Sequence, residues 1–98
     1  MFRHVVVFTW KAEATEDQRR EVGERLAALP GLIPELRAYR YGADAGINPG
    51  NADFAVVADF DDVDGYLTYR DHPEHLAIID AYIAPIIATR TAVQFHIG

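Results

Sequence analysis

Four histidines, His4, His72, His75 and His96, are the side chains of this chain that most readily trade protons near neutral pH. His4 stands apart because it lies amid apolar neighbours in the run Phe2 to Trp10. An imidazole buried there needs a hydrogen-bonding partner. The second concentration is Tyr69-Arg70-Asp71-His72-Pro73-Glu74-His75. Proline suits the first helical position, so Pro73 predicts a helix start with His72 as its cap and His75 in its first turn. From there the His75 ring can point back at a sheet while solvent and ligand still reach it. Tyr69 precedes the break and can face the same space, where a buried hydroxyl also needs a partner. His96 reads as an ordinary strand residue.

Other chemistries find less support in the residue types. His72 and His75 are three apart and can share a helix face, but only Asp71 and Glu74 stand near them, so no metal is expected. The chain has no cysteine, which excludes disulfides, thiolate metal sites and a thiol nucleophile. Asp59, Asp61, Asp62 and Asp64 surround a strand-to-helix turn and read as capping and solubilising residues. The loop with Gly42 and Gly46 lacks the glycine-rich lead into a helix that phosphate binding requires.

Periodicity assigns these residues to strands and helices. Phe2 to Trp10 reads as a strand with Phe2, His4, Val6, Phe8 and Trp10 on one face and Arg3, Val5, Val7 and Thr9 on the other. Both faces carry apolar residues. Thr15 predicts a helix start with Gln18 as its capping-box partner, and Val22, Leu26 and Leu29 form its apolar stripe until Pro30 and Gly31 end it. Leu36 to Tyr41 reads as a second strand, Asp44 to Asn51 as a turn-rich loop, and Asp53 to Phe60 as a third strand. Asp61 or Asp62 caps a short helix, a second helix begins at Pro73, Pro85 ends or kinks it, and Thr89 to Ile97 closes the chain as a strand. The order strand, helix, strand, strand, helices, strand is a ferredoxin-like α+β pattern: a four-stranded antiparallel sheet with helices on one face. The strands' second apolar face then predicts a partner, most simply a second copy closing a barrel.

Ninety-eight residues allow one domain, read as residues 1–98, and a chain this short gains stability from oligomerisation. A formal net charge of −6, with basic residues scattered among acids, argues against nucleic acid. The apolar run Val5 to Phe8 is too short for a secretory signal or a membrane span, so the expected location is the cytoplasm.

The run His4-Val5-Val6-Val7-Phe8, the turn Leu29-Pro30-Gly31-Leu32-Ile33-Pro34, the Asn48-Pro49 loop and the helix start His72-Pro73-Glu74-His75 together resemble the stress-responsive A/B barrel (Dabb) family over essentially the whole chain. The resemblance implies a ferredoxin-like homodimer, a dimeric α/β barrel, with a cavity in each subunit between its sheet and helices. Plant polyketide cyclases of that family close rings by aldol chemistry without metal or cofactor. By position, their catalytic residues resemble His4, Tyr69 and His75. An aldol closure needs a base for an acidic proton between two carbonyls and a donor for the developing oxyanion. The resemblance thus implies His75 as base, Tyr69 as donor and His4 as the partner that orients Tyr69 or relays its proton. Phe8, Phe54, Leu76, Ile79 and Tyr82 would line an apolar cavity for a small carbonyl or phenolic ligand.

Two other readings stand beside this one. In the first, the protein is a non-catalytic, stress-associated dimer in which His4 and His75 bond each other or the backbone. In the second, it is a cofactor-free monooxygenase of the wider dimeric α/β-barrel group, some members of which bind haem. His75 would be the candidate axial ligand there.

Overall fold

Alternation along the first strand decides the layout. In the computed structural model, which describes residues 1–98, strand β1 (Phe2–Trp10) buries Phe2, His4, Val6, Phe8 and Trp10 and leaves the residues between them half-buried. Strands β2 (Ala38–Ala43), β3 (Phe54–Phe60) and β4 (Ile87–His96) join it in the order β2-β3-β1-β4, with every pairing antiparallel. Helices α1 (Glu16–Leu26), α2 (Leu29–Leu32), α3 (Val63–Asp71) and α4 (Pro73–Ile78), and a π-helical turn at Ile79–Ile83, complete the chain. The connectivity is the ferredoxin-like one expected from the sequence.

Capping sets the helix starts. The Thr15 hydroxyl accepts from the Gln18 amide at 3.1 Å, and Gln18 Oε1 accepts from the Thr15 amide at 2.9 Å, closing a capping box worth about 1 kcal/mol. Asp62 caps α3 by accepting from the Gly65 amide at 2.9 Å. His72 caps α4, its Nδ1 accepting from the Glu74 amide at 3.1 Å. Val22, Leu26 and Leu29 are the buried stripe that docks the first helical layer.

Several boundaries depart from the sequence reading. The first helix ends at Leu26, and Pro30 and Gly31 lie inside the separate turn α2, where proline occupies a first-turn position that needs no amide hydrogen. Strand β2 starts at Ala38, because Leu36 turns back to bond the Ile33 carbonyl at 3.1 Å. Strand β4 starts at Ile87, which pairs with Trp10 past a register shift at Thr9/Trp10. Between β2 and β3, Gly46 and Gly50 hold φ of 77° and 85°, the left-handed region that glycine enters without strain.

The face of the sheet away from the helices has no cover within the chain. Val5 and Val57 pair across it, as do Val5 and Val93. Val93 and Phe95 stand 59% and 44% exposed. Arg3 grips Asp59 at one end of this face through a fork of two bonds, 2.7 and 2.8 Å.

Candidate active site

Between the sheet and α3, α4 and the π-helical turn lies a cavity of about 500 Å³ with a predominantly apolar wall. Strand β1 contributes His4, Val6 and Phe8. The segment from Tyr66 to Ile83 contributes Tyr66, Tyr69, His75, Leu76 and Ile79. The three residues singled out for proton chemistry therefore share one wall, together with Phe8, Leu76 and Ile79. The structure does not bring Phe54 or Tyr82 there. Phe54 lies in the core beside Phe8 and Trp10, with ring centroids 6.4 and 5.8 Å away. Tyr82 faces α1, where the Arg25 guanidinium sits 4.7 Å above its ring. Helical phase is the reason: the π-helical turn shifts the residues after Ile79 around the axis, so Ile79 and Ile83 face the cavity and Tyr82 does not.

Each polar group on the wall has a defined partner. His75 Nδ1 lies 3.0 Å from the Arg70 carbonyl oxygen. A carbonyl only accepts, so Nδ1 carries the hydrogen and the lone pair of the neutral ring is on Nε2. Burial is the main cause lowering the His75 pKa, so the ring is neutral at neutral pH. His4 is 4% exposed, and its Nδ1 accepts from the Gln94 side-chain amide at 3.0 Å, which places the hydrogen on Nε2. Burial, the charge of Arg90 and the repulsion that a protonated His75 would exert pull the His4 pKa down to about 4. The two imidazoles are thus opposite tautomers, one presenting a lone pair and the other a donor.

Tyr69 is 3% exposed, and its ring lies 4.1 Å from that of His75. Its hydroxyl is 3.0 Å from the hydroxyl of Tyr39 on β2. Burial pushes the Tyr69 pKa up to about 12 and raises that of Tyr39 further. Either hydroxyl can donate in this pair; when Tyr39 donates, the Tyr69 hydrogen is free for a third group.

Two sequence expectations are corrected here. No hydrogen bond joins His4 to Tyr69; Gln94 holds the first and Tyr39 the second. Nor do His4 and His75 bond each other: His75 takes the backbone alternative, its Nδ1–H bonding the Arg70 carbonyl, and His4 bonds the Gln94 side chain. No group of three His, Asp or Glu residues is placed to hold a metal ion, so His72 and His75 gather no third ligand. Tyr39, Gln94 and Arg90 are wall or support residues that sequence reasoning passed over. Tyr39 and Tyr41 alternate on one strand face, and Gln94 sits opposite His4 only once the β1–β4 register is known.

A ferredoxin-like sheet with helices on one face, an uncovered apolar face on the other and a histidine-lined cavity between the layers defines the class of this protein. The chain belongs to the Stress responsive A/B Barrel Domain family, whose model matches residues 2–97. It is 33% identical over 79 residues to an uncharacterized protein of Streptomyces coelicolor, covering 79% of this chain and 81% of that one. It is 26% identical over 82 residues to olivetolic acid cyclase of Cannabis sativa, covering 82% and 81%. Among solved structures it is similar to a dimeric ferredoxin-like protein of unknown function from Thermobifida fusca. That match has 50% identity and a TM-score of 0.90, over 98% of this chain and 90% of the other. No helix is long and apolar enough to cross a membrane.

Proposed function

We propose that this protein is a homodimeric, cofactor-free acid–base enzyme acting on small apolar carbonyl compounds that carry an acidic C–H between two carbonyls. The observation that supports this reading most strongly is the state of His75: a neutral ring on an apolar cavity wall, with its Nδ1–H held by a backbone carbonyl and its lone pair on Nε2. In the proposed step Nε2 takes the proton from the central carbon. The C–H electron pair moves into the carbon framework as an enolate, and charge builds on a carbonyl oxygen. Tyr69, its own oxygen supplied with a hydrogen bond by Tyr39, donates to that oxygen, and the Nε2–H of His4 serves as a second donor. In a longer polyketide-like substrate the enolate carbon attacks a second carbonyl and closes a ring, and the resulting alkoxide takes up a proton. The similarity to olivetolic acid cyclase supports this aldol-type reading.

Homodimerisation is supported by the uncovered face of Val5, Val7, Val57, Val93 and Phe95 and by the dimeric Thermobifida fusca structure. The test of the activity is deuterium exchange at the central carbon of 1-phenylbutane-1,3-dione, followed by NMR above the buffer rate. Wild-type protein accelerates exchange, and His75→Ala returns it to the buffer rate while keeping the fold by circular dichroism. Exchange no faster than buffer with wild type, or unchanged in folded His75→Ala, contradicts the proposal.

A further inference from the structure

The chain carries fifteen Asp and Glu against nine Lys and Arg, yet the cavity wall reverses that balance. No carboxylate lines it, and two arginines do, Arg70 and Arg90. Arg70 is already committed, holding the Asp71 carboxylate through bonds of 2.8 and 3.0 Å. The Arg90 side chain makes no ion pair or hydrogen bond with the rest of the chain. Its position follows from the register. Arg90 pairs with Phe8, itself a wall residue, so its side chain lies on the helix side of the sheet. Strand β4 is an edge strand, and Arg90 is exposed, so the guanidinium stands on the cavity rim where solvent enters.

We propose that Arg90 is the anion anchor of this cavity, gripping the carboxylate of a small organic acid whose apolar body fills the interior. A guanidinium presents a planar fork of donors that fits a carboxylate through two parallel bonds. One unpaired fork balances one negative charge, which favours a monocarboxylate over a phosphate dianion. The apolar wall then selects the remainder of the ligand: aliphatic or aromatic carbon rather than sugar or nucleotide. The substrate class sharpens to a carbonyl compound ending in a carboxylate, a refinement that rests on the acid–base reading above. The charge of Arg90 also reaches His4, Tyr69 and His75, lowering the pKa of each. A bound carboxylate neutralises that charge and makes His75 a stronger base when the substrate is in place.

The experiment compares 3-phenylpropanoate with 3-phenylpropanamide, two ligands of one shape that differ in charge, by isothermal titration calorimetry at low salt. Wild-type protein binds the acid at least about tenfold more tightly, and the preference shrinks as salt is added at the exposed rim. Arg90→Gln brings the two affinities together, Arg90→Lys keeps part of the preference, and Arg70→Gln keeps all of it. Equal wild-type affinities, no detectable binding of the acid, or a preference that survives Arg90→Gln overturns the proposal. Calorimetry reads binding and deuterium exchange reads proton transfer. A carboxylate preference without exchange therefore leaves the anchor standing and removes only the enzymatic reading.

Discussion

Tyr39 and Tyr69 share one hydrogen bond, and its direction decides what Tyr69 can offer a ligand. With Tyr39 as donor, Tyr39→Phe withdraws that support, and exchange slows by about tenfold with little change in apparent affinity. Stability falls by about 1 kcal/mol in urea denaturation, since the buried Tyr69 hydroxyl loses its partner. An unchanged exchange rate would remove Tyr39 from the account. His4 makes a different prediction. Its folded pKa, about 4, lies below the ordinary 6.5, so the unfolded chain binds the proton more readily. The stability this contributes is present above pH 6.5 and is lost as pH falls from 6.5 through 4, by about 2 kcal/mol once solvent reaching the ring through the cavity is allowed for. His4→Gln flattens that part of the stability–pH curve, whatever it does to absolute stability. An identical slope in the variant would show that His4 does not carry it. His4, Tyr69 and His75 were legible in the sequence because their types are distinctive. Gln94, Tyr39 and Arg90 were not, because each matters through a cross-strand neighbour that only the register identifies.

At the scale of elements, the helix start at Pro73 separates two histidines three residues apart. His72 spends its ring on the Glu74 amide as a cap, whereas His75 turns its ring to the Tyr69 side of the cavity. His72→Ala therefore costs about 1 kcal/mol of stability, the usual loss for a cap, and leaves exchange at the wild-type rate. Parallel thermal melts and exchange assays check both halves of that expectation. Helix starts were readable because caps are local: Thr15 with Gln18, Asp62 and His72 act within a few residues of themselves. The π-helical turn at Ile79–Ile83 was not, because its wider winding carries no residue signature. It is the reason Tyr82 meets Arg25 instead of the cavity.

For the whole molecule, the order of strands and helices followed from alternation and punctuation, and with it the ferredoxin-like sheet. What alternation also showed was a strand apolar on both faces, and the structure covers only one of them. Val7→Asp on the bare face places an unpaired charge where the second copy is proposed to sit, and dissociates the dimer in sedimentation velocity. A dimer that persists would move the interface elsewhere. The size of the cavity was beyond sequence reasoning, because volume depends on how far the α3–α4 layer stands from the sheet, a property of packing and not of any segment.

The pH dependence of diketone exchange reports on proton transfer to His75 itself. If neutral His75 is the base, the enzyme-dependent rate is level through neutral pH and falls on the acid side with a midpoint below 6.5, since burial lowers the pKa of that ring. That acid limb disappears with activity in His75→Ala. A midpoint at or above 6.5, or an acid limb that remains in the variant, would contradict a buried neutral imidazole as the proton acceptor.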